Sequence, residues 1–131
     1  MKNTGMDMGN GMGEQPVLLV TKEFVFDAAH QLPDYDGKCE RLHGHTWKLH
    51  VTVRSQVNPK SGIAYDFVKL KKIVMERVID VLDHSFVNDY LEHPSAENLC
   101  LFVWEKCKDL PLYEVKVWET PTSFATYRPG L

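Results

Sequence analysis

Three histidines and a nearby cysteine are the residues in this chain whose spacing could do chemistry. His43 and His45 stand two apart and are followed by Trp47, Leu49, Val51 and Val53 at every second position. That period of two describes a strand with one apolar face, and both imidazoles share the parity of that face. Phe24, Phe26, Ala28 and His30 form a second such run that also ends in a histidine. Along a strand His43 and His45 sit about 7 Å apart at the backbone, close enough for imidazole arms to converge. Three neutral imidazole nitrogens with a free fourth position make the open zinc site of a catalyst, not the closed site of a structural zinc.

The groups around this core each allow two readings. Cys39 is either a fourth ligand that closes the site or an uncoordinated thiol beside an open one. Lys38, Arg41 and a nearby dication would favour its thiolate, the form needed for base or nucleophile work. Asp83-His84 is either a carboxylate–imidazole relay able to exchange protons with a thiol, or a solvated pair at a helix end. Glu119 ends a strand face otherwise built of Val115 and Val117. A carboxylate there costs free energy unless it meets a donor such as a guanidine-like ligand edge, or turns to solvent. His50 and His93 take no role, and Cys100 and Cys107 read as packing residues of a helix.

A chain of 131 residues with a net charge of −3 is one domain with a modest core, and gives no reason to expect nucleic-acid or membrane binding. No apolar run approaches the roughly 20 residues that span a bilayer. The N-terminus lacks the basic-then-apolar pattern of a secretory signal. Three cysteines, an odd number, fit free thiols in a reducing compartment, so the cytoplasm is the expected location.

The elements that must position these groups follow from periodicity. Residues 1–15 hold four of the five methionines and four of the eight glycines, without periodicity; they read as a disordered extension ahead of a domain at residues 16–131. Strands are expected over 17–30 and 43–57, with the loop 31–42 between them. An amphipathic helix is expected over 67–82, where Phe67, Leu70, Val74 and Val78 recur at helical spacing. A polar connection spans 83–93. Ser95 should cap a second helix bearing Leu99, Phe102, Val103 and Cys107 inward. Strands over 113–119 and 123–128 complete an α+β arrangement: a four-stranded antiparallel sheet with two helices on one face.

The pattern as a whole resembles the 6-pyruvoyl-tetrahydropterin synthase and 6-carboxytetrahydropterin synthase family across residues 18–128. The matching pieces are Phe26-Asp27-Ala28-Ala29-His30, Cys39-x-x-x-His43-Gly44-His45, Asp66-Phe67-x-x-Leu70-Lys71, Asp83-His84, Ser95-Ala96-Glu97-Asn98-Leu99 and Trp118-Glu119-Thr120. Each is weak alone, and six in order are specific. The resemblance implies the tunnelling fold, in which sheets of several subunits close into a barrel, and hence a homo-oligomer with active sites at its interfaces. It implies His30, His43 and His45 as zinc ligands, Cys39 as the proton-abstracting thiolate, Asp83 and His84 as its relay, and Glu119 as the anchor of the pterin ring.

The substrate so implied is 7,8-dihydroneopterin triphosphate. The three-residue spacer of Cys39-x-x-x-His43 is similar to the bacterial branch that makes 6-carboxy-5,6,7,8-tetrahydropterin, with release of acetaldehyde and triphosphate, on the route to queuosine and related 7-deazapurines. A pyruvoyl product is the nearest alternative. Glu40 raises a third, formation of 6-hydroxymethyl-dihydropterin as in the folate branch. A zinc- or pterin-binding module without turnover is the reading from another class. Thr46-Trp47 stands where relatives often carry Asn-Tyr, and Ser95 where a threonine is frequent; both changes fall on pocket walls.

Overall fold

The computed structural model describes residues 14–33 and 41–131. Most of the expected N-terminal extension, together with Cys39 and Glu40, lies outside the described residues. Two long strands form the spine. β1 (Val17–His30) and β2 (His43–Gln56) pair antiparallel without interruption from Val17↔Gln56 to His30↔His43. Their alternation buries Phe24, Phe26, Ala28 and His30 on one strand and Trp47, Leu49, Val51 and Val53 on the other. A slip of one residue would turn every one of these side chains outward, so burial itself fixes the register. That register makes His30 and His43 a cross-strand pair and sets His45 opposite Ala28.

β4 (Leu112–Thr120) adds to β2, with a register shift between Thr52 and Val53, and β5 (Ser123–Tyr127) folds back on β4. Val115 and Val117 extend the buried face, and Glu119 continues their parity to the strand end.

The helices cover this face. Asp66 caps α1 (Phe67–Val74) by accepting the Val68 N–H at 2.8 Å. Ser95 caps α3 (Ala96–Cys107) by accepting the Asn98 N–H at 3.1 Å. Leu70, Val74, Leu99, Val103 and Cys107 pack against the strands, while Phe102 sits at the margin of the core. Cys100 and Cys107 are packing residues as expected, and burial pushes both thiols up to about 11.

Two features depart from the expected layout. The sheet has five strands in the order β3-β1-β2-β4-β5, because the segment read as a polar connection contains β3 (Ser85–Phe86), which pairs parallel to β1. Two residues carry no periodicity, so only the pairing reveals this strand. A 3-10 turn, Val87–Asp89, follows and buries Val87. The first helix is also not uniform: α1 passes through a π-helical turn, Met75–Ile79, into a short last segment, α2 (Asp80–Leu82). The wider turn brings Val78 and Ile79 to the core along with Val74 and Leu82. Among the described residues no helix is long and apolar enough to cross a membrane.

Candidate metal centre and acid–base pair

The ends of β1, β2 and β4 bring His30, His43, His45 and Glu119 into one group, with one ligand atom from each lying within 4.8 Å of the others. The backbone fixes which nitrogens face inward. His30 Nδ1 donates to the Pro94 carbonyl at 2.8 Å, and His43 Nδ1 donates to the Arg41 carbonyl at 2.8 Å. A carbonyl oxygen can only accept, so in the neutral rings both Nε2 atoms carry lone pairs. Those two Nε2 atoms stand 2.9 Å apart. Facing lone pairs at that distance repel unless a proton or a cation lies between them. Carbonyl oxygens that hold the far ring nitrogen are the usual support for a metal-bound imidazole.

Glu119 faces the same point. Its Oε2 lies 3.2 Å from His30 Nε2 and 3.1 Å from His45 Nε2. His45 Nε2 is buried and makes no hydrogen bond among the described residues, although that oxygen is near. Burial pushes the His45 imidazole below the ordinary histidine range; Glu119 opposes this, and His43 and His30 reinforce it. A tetrahedral ion with bonds of about 2.0–2.1 Å needs ligand atoms roughly 3.3 Å apart. The observed separations of 2.9, 3.1 and 3.2 Å fit that frame, and three imidazoles with a carboxylate are a suitable donor set for a divalent metal.

Trp47 forms the floor. It is fully buried, its indole N–H donates to the Ala28 carbonyl at 3.1 Å, and its ring meets His30 and His45 edge-on at 5.0 and 5.4 Å. An apolar floor of this kind lowers the local dielectric and strengthens electrostatics at the imidazoles.

Asp83 and His84 form a second group with Asp27. Asp83 Oδ2 lies 3.1 Å from His84 Nδ1, and Asp83 Oδ1 accepts the backbone N–H of Asp27 at 2.9 Å. The His84 N–H donates to the Asp27 carbonyl at 2.6 Å. His84 has φ of +61°, the left-handed region that side chains rarely adopt, and these two ties to β1 hold it there. Its ring is 80% exposed. Strand alternation puts Asp27 and Thr46 on the face opposite the imidazole cluster, and the Thr46 hydroxyl donates to Asp27 Oδ1 at 2.5 Å. An open cavity of about 540 Å³ runs along this edge, lined by Asp27, Gly44, Thr46 and His84 among others.

The structure thus brings His30, His43, His45 and Glu119 together and pairs Asp83 with His84, in two groups instead of one. It also shows partners that periodicity does not reveal. The carbonyls of Pro94 and Arg41 leave no side-chain signal. Asp27 and Thr46 occupy ordinary polar positions on their strands. Glu119 reaches the imidazoles as well as the wall of a small cavity of about 180 Å³ that it shares with Glu97, Ser123 and Phe124; its parity with Val115 and Val117 was the available clue.

Residues 19–130 match the family described as 6-pyruvoyl tetrahydropterin synthase. The chain is 33% identical over 137 residues to 6-carboxy-5,6,7,8-tetrahydropterin synthase of Haemophilus influenzae, covering 83% of this chain and 97% of that protein. It is 40% identical over 118 residues to the protein of the same name from Synechocystis sp., covering 83% and 92% of the two chains. The solved Caenorhabditis elegans 6-pyruvoyl tetrahydropterin synthase superposes with a TM-score of 0.78 at 31% identity, covering 88% of this chain and 98% of that one. The chain belongs to the 6-pyruvoyl tetrahydropterin synthase family. It is an α+β enzyme of that family with the tunnelling fold.

Proposed function

We propose that this protein is a zinc enzyme converting 7,8-dihydroneopterin triphosphate to 6-carboxy-5,6,7,8-tetrahydropterin, with release of acetaldehyde and triphosphate. The observation that carries the reading is the pair of inward Nε2 lone pairs of His30 and His43, fixed by backbone carbonyls and completed by His45. Zinc held by these three imidazoles would act as a Lewis acid toward the hydroxyls of the substrate side chain.

The chain's own groups divide the remaining work. Glu119 accepts the guanidine-like N–H groups of the pterin ring and so orients it over the site. Cys39, four residues before His43, takes a proton from the side-chain carbon as its thiolate. Asp83 holds His84 at Nδ1, which leaves His84 Nε2 free to exchange that proton. The Asp83–His84 pair forms a group separate from the imidazoles, tied to the edge of β1; it serves the metal group of a neighbouring copy, and the enzyme is a homo-oligomer with its active sites at the interfaces. Its place is the cytoplasm, on the route to queuosine and other 7-deazapurines.

Relatives carry both product names: the Haemophilus influenzae and Synechocystis sp. proteins are carboxytetrahydropterin synthases, whereas those of Drosophila melanogaster and Homo sapiens are 6-pyruvoyl tetrahydrobiopterin synthases. The three-residue spacer between Cys39 and His43 favours the carboxy product. Product analysis by mass spectrometry, with zinc-loaded protein and dihydroneopterin triphosphate, decides. A 6-carboxytetrahydropterin peak with acetaldehyde supports the reading. A pyruvoyl product keeps the site and changes the pathway. A hydroxymethyl product that survives in Cys39→Ala would give Glu40 the folate-branch role.

A further inference from the structure

Glu119 stands in two places at once. Its Oε2 lies 3.2 and 3.1 Å from the Nε2 atoms of His30 and His45, within 0.3 Å of the 2.9 Å that separates His43 Nε2 from His30 Nε2. The same side chain is 30% exposed and lines the small cavity with Glu97, Ser123 and Phe124. A carboxylate that clamps a guanidine-like edge uses both oxygens in parallel N–H···O bonds. It cannot do so while one oxygen closes the imidazole cluster.

We propose that Glu119 is an exchangeable ligand: its carboxylate completes the metal's coordination in the resting protein, and a bound pterin ring draws it away. The position it leaves is the one a substrate hydroxyl takes. The exchange breaks one carboxylate–metal contact and makes one hydroxyl or water contact, with no change of oxidation state. Withdrawing the carboxylate removes one negative charge from the site, so the metal polarises oxygen more strongly once the ring is seated. Glu119 therefore joins ring recognition to activation of the side chain, and a polyol phosphate lacking the ring leaves the site closed. This deepens the proposed function and rests on its assignment of a metal and a pterin to this site.

The test uses the full chain loaded with cobalt, whose visible absorption bands report ligand number and type. Pterin itself, which has the ring and no side-chain hydroxyls, is the probe, and its fluorescence reports binding independently. In the wild-type protein, saturating pterin is expected to shift the cobalt bands. In Glu119→Gln the bands are expected to be displaced before any addition and to stay put afterwards. Competition with a chelator should show metal held about tenfold or more weakly in the variant. Pterin that binds the wild-type protein without moving the cobalt bands overturns the exchange and leaves the enzyme reading intact. Pterin that does not bind overturns both. The wild-type titration stands whether or not the variant folds.

Discussion

The Nδ1–H of His30 is held by the carbonyl oxygen of Pro94 at 2.8 Å, across 64 residues of chain. The contact turns a fully buried imidazole so that its other nitrogen meets His43. A loop ahead of α3 therefore sets the orientation of a residue that ends β1. His30→Ala should remove the central ligand, and zinc content measured by mass spectrometry is expected to fall to near nothing. Normal occupancy in that variant would take His30 out of the ligand set.

Chelation should destabilise the fold, since it leaves the inward nitrogens of His30 and His43 facing each other at 2.9 Å. A ligand present at 100 times its Kd contributes about 2.7 kcal/mol, which raises Tm by roughly 10 °C in a domain of this size. Calorimetry of chelated and zinc-loaded protein should show that difference. Equal melting temperatures would mean that no ion binds the native cluster.

His84→Gly separates chemistry from folding. A non-glycine residue at φ of +61° stores about 1 kcal/mol or more, and glycine adopts that conformation freely. The variant should melt at the same temperature or higher and keep its zinc, while kcat falls by about 10²- to 10⁴-fold through loss of the acid–base group. An unchanged kcat would remove His84 from the reaction.

Alkylation should single out Cys39. Burial pushes the Cys100 and Cys107 thiols up to about 11, so at pH 8 only about one in a thousand of either is thiolate. Cys39, flanked by Lys38 and Arg41 two residues on, is expected to react first. Intact-mass analysis after brief iodoacetamide treatment at pH 8 should show one adduct, mapped to Cys39, together with loss of turnover. Labelling of a helix cysteine at a similar rate would show that the thiol of Cys39 has no special reactivity.

The strands that carry the imidazoles were legible because one force writes their pattern. Burial of Phe24, Phe26, Trp47 and Leu49 imposes a period of two, and the histidines fall on the same beat. The Ser95 cap was legible for a similarly local reason, since it serves an amide three residues away. β3 was not legible, because two residues held by parallel pairing to Ala28 and Ala29 depend wholly on the partner strand. The carbonyls that orient His30 and His43 were equally hidden, because every residue has a carbonyl and only the fold selects which one is used. Glu119 stood between these cases. Its unusual position at the end of an apolar face was visible, but its approach to the imidazoles depends on β4 pairing beside β2, with Trp118 opposite Lys48.

The π-helical turn at Met75–Ile79 ends four residues before Asp83, whose N–H still donates to the Ile79 carbonyl at 2.8 Å. Each residue of an α-helix advances the chain by about 100° around the axis. The added residue in that turn therefore sets the azimuth at which the chain leaves the helix and delivers Asp83 and His84 to the edge of β1. Inserting or deleting one residue in this helix would turn that exit by about 100°, so the count of residues between Asp66 and Asp83 works as a clock for where Asp83 and His84 meet β1.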